Sequence, residues 1–157
     1  MFNIILLIHI IAGSMCLLLG LLAGFARKLK GLHTIAGEFY HGFYVVVFLT
    51  SVTMAILHWK DSSYLLYIGL FSYSLAITGY IAAKRKRRGW LRLHIGTILG
   101  SYIAIITAVL VVNASHMPVV QDWPVLVVWF FPTIIGTPII TLIGRKYISA
   151  KKVPVSK

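Results

Sequence analysis

An all-α, polytopic integral membrane bundle of five transmembrane helices is what this sequence predicts, and three observations carry the prediction. Of its 157 residues, 59% are hydrophobic and only 11% are charged, and the mean hydropathy is +0.91. A water-soluble domain carries roughly 25% charged residues, so this chain lacks the polar surface to coat a globule in water. The apolar residues gather into five long runs, and the cations between the runs favour alternate connections. Together these features assign most of the chain to the lipid bilayer.

Each run is judged against about 30 Å of hydrocarbon, which takes roughly 20 helical residues to cross. The first, near residues 2–25, lacks a basic leading segment and is too long for a signal-peptide core, so it reads as a retained helix with no cleaved leader. The second, third and fourth lie near 38–58, 63–83 and 95–113. The fifth, near 124–144, contains Pro132, Gly136 and Pro138, so a kink or a locally broken helix is expected there. The whole reads as a single transmembrane helical domain over 1–148 with a basic cytoplasmic tail at 149–157.

Small residues recur at steps of three and four within the runs. Gly13, Cys16, Gly20 and Gly24 follow His9 in the first; Gly69, Ser72, Ala76, Gly79 and Ala83 mark the third; Gly96, Gly100, Ala104 and Ala108 mark the fourth. Helices in lipid associate by close backbone approach rather than by hydrophobic exclusion. These stripes are therefore expected to face inward. Homo-oligomerisation is compatible with this composition.

Charge sets the orientation. Arg27, Lys28 and Lys30 follow the first run; Lys84, Arg85, Lys86, Arg87, Arg88 and Arg92 separate the third from the fourth; Arg145, Lys146, Lys151, Lys152 and Lys157 end the chain. With five spans these segments share one side, and Lys60 alone falls on the other. The positive-inside rule then places the N-terminus outside and the C-terminus in the cytoplasm. The Lys84–Arg92 run reads first as a topogenic anchor, with an anionic lipid or partner site as the alternative. The net charge of +12 reflects scarce acids between apolar runs, not a basic globular face, so nucleic acid is set aside as a partner. The single cysteine, Cys16, excludes an intrachain disulfide and a cysteine metal cluster.

Ionisable residues at membrane depth are costly and usually functional, which makes the six histidines the most informative residues. His33 and His94 begin the second and fourth helices at the cytoplasmic face, and His41 lies two turns beyond His33. His9 lies in the outer half of the first helix, His58 at the outer end of the second and His116 in the outer loop. Glu38 and His41 form a Glu-x-x-His pair, one turn apart on one helix face, as in the carboxylate metal sites of helix bundles. Against these roles stands an interfacial or singly hydrogen-bonded histidine at each position, the more so for His58 and His116.

Two chemistries suit the arrangement. The first is haem b held by imidazoles from different helices, one pair per leaflet, carrying electrons across the membrane. His41 and His94 form the inner pair and His9 with His58 or His116 the outer one. Tyr40, Phe43, Tyr44 and Phe48 are candidate ring-lining residues, and the basic run a partner for the propionates. A quinone or a redox protein would exchange electrons with it. The second chemistry is a compact zinc, copper or iron centre on His33, Glu38, His41 and His94, serving a membrane hydrolase, a metal transporter or a metal sensor. The chain is thus read either as a membrane oxidoreductase or as a metal-dependent hydrolase, with a non-enzymatic assembly protein as a third reading. GxSxG, HExxH, CxxC, a Walker loop and GxGxxG are all absent, and Glu38, Asp61 and Asp122 are too scattered for a paired-carboxylate mechanism. Asp61 and Asp122 are expected on outer loops, and the sequon at Asn113-Ala-Ser115 is assigned no role.

Several segments carry a resemblance: LIHIIAGSMCLLLGLLAGFARK at the start, GLHTIAGEFY after the first basic turn, GLFSYSLAITGY in the third run, then SYIAIITAVLVVN and VVWFFPTIIGTP. In this order they resemble the bacterial membrane proteins grouped as domain of unknown function 2306. The resemblance implies a small polytopic protein of the bacterial cytoplasmic membrane and brings no assigned reaction. By motif position it draws attention to His9, His33, Tyr40 and His94. Thr34 stands where the pattern has a basic residue, so no anion-binding role is carried over there.

Overall fold

The computed structural model describes residues 2–27 and 31–150. Among them the chain forms helix α1 (Phe2–Phe25), α2 (Leu32–Leu57), α3 (Trp59–Arg85), α4 (Trp90–Asn113) and α5 (Val125–Ala150), with a short 3-10 turn at Ala114–His116 and no strand. All five helices contain an apolar stretch long enough to cross a membrane, so this is a multi-pass membrane protein. Phe25, Phe71, Leu126 and Ile134 are exposed on the protein surface. Such an outside is untenable in water and ordinary against acyl chains. Lys28, Lys30 and the tail from Lys151 to Lys157 lie outside the described residues.

The helices outrun the apolar stretches that announce them. α2 begins at Leu32, six residues before the expected start, behind Gly31 at φ +135°, a backbone conformation that glycine adopts without a Cβ penalty. α3 begins at Trp59, so His58 alone separates it from α2, and Asp61 falls in the first turn of a helix rather than on a loop. α5 continues unbroken through Pro132 and Pro138, which corrects the expectation of a locally broken helix. Proline residues removed two backbone donors there without ending the helix.

The chain packs as two units, residues 1–77 and 78–157, with the boundary inside α3. In the first unit α1 lies along α2, and Ala12, Cys16, Ala36, Tyr40, Tyr44 and Ala76 are buried. The inward face of α1 is centred on Ala12 and Cys16; a Cβ at Gly13 or Gly24 would meet open space, so those glycines do not mediate the close approach expected of them. The α3 stripe behaves as expected. Gly69 sits 3.5 Å from the Ser51 hydroxyl, measured from where its Cβ would be, and Ala76 is fully enclosed.

In the second unit α4 lies along α5, and Ser101, Ile105, Val120 and Val128 are buried. Gly96 faces open space. The tight contacts are made instead by Gly79 against Thr97 and Ile98, and by Gly136 against the Ile103 side chain. Gly136 thus serves packing between α4 and α5. Trp123, in the segment before α5, closes on Phe131 edge to face at 5.0 Å.

Candidate functional site

A histidine in a membrane helix needs a hydrogen-bond partner, because no water is at hand to replace one. Three of the six find theirs on a neighbouring helix through the same ring atom. His33, in the first turn of α2, has Nδ1 2.9 Å from the carbonyl oxygen of Ala23. Ala23 belongs to the last turn of α1, where carbonyls run out of helical amides, so His33 caps that helix from the side. His94, in the second turn of α4, has Nδ1 2.9 Å from the carbonyl oxygen of Gly79 on α3. That carbonyl is reachable because Gly79 carries no side chain and α4 lies directly against it. His9 on α1 has Nδ1 2.9 Å from the Thr50 hydroxyl on α2.

For two of these rings the chemistry of the partner fixes the proton. A carbonyl oxygen only accepts, so Nδ1 of His33 and of His94 carries hydrogen. The Thr50 hydroxyl has the Val46 carbonyl at 2.7 Å and the Val47 carbonyl at 3.0 Å as acceptors for its own hydrogen. Toward His9 it is within reach as either donor or acceptor, so the His9 tautomer follows the Thr50 hydrogen. In the neutral imidazole, His33 and His94 place their lone pair on Nε2.

The remaining predicted residues fall into two groups. His41, Tyr40 and Tyr44 join an aromatic cluster in the first unit that includes Tyr73 of α3, a residue the sequence analysis passes over. His41 stacks on Tyr73 at 6.2 Å and 16°, and Phe48 stacks on Tyr73 at 4.5 Å and 10°. Tyr44, fully enclosed, meets Tyr40 edge to face at 5.5 Å and hydrogen-bonds the Ser72 side chain. The Cys16 thiol donates to the Tyr40 carbonyl at 3.7 Å. Glu38, one turn before His41, acts on it through charge. Along α2 these residues and His9 with Thr50 form a polar and aromatic seam that runs from His33 to Thr50, about 25 Å by helical rise.

His58 and His116 stand apart. Both are exposed; His58 packs edge to face on Phe2 at 4.4 Å, and His116 pairs with the neighbouring Ser115 hydroxyl at 3.2 Å. Neither shares a partner with His9. Among the described residues no three of His, Cys, Asp and Glu are grouped closely enough to hold a metal ion, and this includes His33, Glu38, His41 and His94. Thr50, Gly79 and Ala23, which orient the imidazoles of His9, His94 and His33, leave no signature in sequence: two of the three act through backbone carbonyls, and a small residue at Gly79 is the only hint.

No protein-family model, no curated protein and no solved structure matches the chain. Fold and site together define a multi-pass helical membrane protein with imidazoles latched between neighbouring helices.

Proposed function

We propose that this chain is a protein of the bacterial cytoplasmic membrane, N-terminus outside and C-terminus in the cytoplasm, that binds haem b through histidine and moves electrons across the bilayer. The observation that supports this reading is the Nδ1 donation of His33 and His94 to backbone carbonyls of neighbouring helices, with His9 held through the same ring atom by the Thr50 hydroxyl. An imidazole that ligates iron through Nε2 almost always donates its other ring hydrogen to a carbonyl, carboxylate or water, which sets the tautomer, holds the ring plane and raises the basicity of the ligating nitrogen. His33 and His94 are set in that way by groups of the protein itself.

Haem, when bound, supplies a reversible one-electron couple. The protein's share is orientation and surroundings. Ala23 and Gly79 hold the rings at the basic ends of the α1–α2 and α3–α4 hairpins, and Thr50 holds His9 toward the opposite end of α1. Within the first unit, Tyr40, Tyr44, Phe48 and Tyr73 fill the stretch between His33 and His9 with aromatic rings. Electrons are exchanged with a quinone or a redox protein.

The test is a spectrum. Protein purified from cells supplied with haem is expected to be red, with a Soret band and a reducible α band. His33→Ala and His94→Ala should each remove absorbance, whereas His58→Ala and His116→Ala should not. A colourless protein overturns the proposal, and stoichiometric zinc or copper without a Soret band would replace it with a metal centre.

A further inference from the structure

The turn between α3 and α4 has served above as a topogenic anchor and as a partner for haem propionates. It carries Lys84, Arg85, Lys86, Arg87 and Arg88 in succession, then Arg92 in the first turn of α4, and no Asp or Glu occurs anywhere between Asp61 and Asp122. Lys84 through Gly89 and Arg92 are exposed. A topogenic role asks only that cations lie in this connection. It does not ask for the compact geometry that the structure gives them.

That geometry is specific. Lys86 at φ +46° and Gly89 at φ +77° both take left-handed backbone conformations, so the chain reverses within the four residues 86–89. The Trp90 amide closes the turn on the Arg87 carbonyl at 2.9 Å, and the Leu93 amide starts α4 on the Gly89 carbonyl at 3.2 Å. Arg87 and Arg88 are thereby held side by side at the tip. Behind them the Lys84 ammonium lies 5.2 Å from the centre of the Tyr80 ring, and Trp90 packs toward His94 at 6.3 Å. A tyrosine and a tryptophan at this level are the side chains that settle at lipid headgroup depth. Like charges this close repel one another, so the turn calls for an anion.

We propose that the α3–α4 turn is a binding site for anionic phospholipid, with the phosphodiester held by Arg87 and Arg88 and flanked by Lys84, Arg85, Lys86 and Arg92. Arginine suits this ligand because its planar fork meets two phosphate oxygens at once. The source of the phosphate is the headgroup of a lipid rather than a soluble anion, since the turn closes a hairpin whose helices are flanked by acyl chains and whose Tyr80 and Trp90 mark the headgroup zone.

The test is native mass spectrometry of the full chain released from vesicles holding equal amounts of phosphatidylglycerol and phosphatidylethanolamine. The wild-type protein should retain phosphatidylglycerol preferentially, and Arg87→Gln/Arg88→Gln should lower that preference about tenfold. Arg145→Gln/Lys146→Gln, which removes the same charge from another segment, should leave it unchanged. Arg87→Lys/Arg88→Lys, which preserves insertion and net charge, should lower it by a smaller factor. Millimolar inorganic phosphate should not displace the lipid. Equal retention of the two lipids by the wild type overturns the proposal. So does an equal loss in both glutamine variants, and so does displacement by inorganic phosphate.

Discussion

Gly79→Ala is the sharpest probe of how the second unit is assembled. A Cβ at this position would lie 2.6 Å from Cγ1 of Ile98 and 2.6 Å from Oγ1 of Thr97. Neither neighbour can turn away cheaply. The Thr97 hydroxyl is committed to the Leu93 carbonyl at 2.7 Å, and the β-branched Ile98 has one strongly preferred helical rotamer. Restoring an ordinary contact therefore needs α3 and α4 to separate by about 1 Å. The His94 hydrogen bond to the Gly79 carbonyl, now 2.9 Å, would stretch past about 3.5 Å, where little of it survives. Overpacking costs about 2 kcal/mol and the lost hydrogen bond about 1 kcal/mol. The better helix propensity of alanine returns about 1 kcal/mol, for a net destabilisation of about 2 kcal/mol. The assay is reversible unfolding of the purified protein in mixed micelles of rising SDS fraction, followed by tryptophan fluorescence. A double-mutant cycle with His94→Ala makes the reasoning specific, because both changes remove the same hydrogen bond: their effects should fall short of additivity by about 1 kcal/mol. A neutral Gly79→Ala, or strict additivity with His94→Ala, would refute the account.

Gly136→Ala should destabilise the packing of α4 on α5 by about 2 kcal/mol, through collision with Ile103, and Ile103→Ala should restore much of that loss; the same unfolding assay reads both. Tyr44→Phe, which removes the hydrogen bond to Ser72 and keeps the ring, should cost about 1 kcal/mol, and an unchanged midpoint would remove that bond from the account. Cys16 is a free thiol with no exposed surface, so maleimide labelling should be negligible in the folded protein and complete after unfolding in SDS; prompt labelling in mild detergent would contradict the burial. Gly31→Ala, at φ +135° with open space around it, should cost at least about 1 kcal/mol from backbone strain alone, and it should do so without altering the spectrum of any bound group.

The sequence read well wherever lipid imposes a single requirement. An apolar run of span length has no alternative in water, so each of the five runs falls on one of the five helices. The misjudged boundaries are at polar helix ends: Leu32–Gly37 and Trp59–Asp61 are less apolar, yet a helix continues past the hydrocarbon to satisfy its own backbone. The fifth helix was expected to kink or break at Pro132 and Pro138, and of the two the break does not occur. Small-residue stripes were legible on α3, at Gly69, Ala76 and Gly79, and in part on α1, where His9 and Cys16 face α2, but Gly13, Gly24 and Gly96 face open space. In lipid a buried face and an exposed face are equally apolar, so periodicity alone does not tell them apart. Depth singled out His9 and His41 and set His33 and His94 at the cytoplasmic face, while the family resemblance drew attention to His9, His33 and His94. The acceptors of His33 and His94 were beyond reach, since every residue offers a carbonyl and only the fold selects which one is presented.

The joint at His58 has a practical side. With one residue between two long helices there is no slack to absorb an inserted sequence, so an epitope, a fluorophore handle or a protease site placed there would have to unwind a turn of helix to be accommodated. The stretch from Met117 to Pro124 is the better host: it is outside the long helices, and most of its side chains are already on the surface. Val120 and Trp123, which anchor that stretch to the protein, are the positions to leave intact.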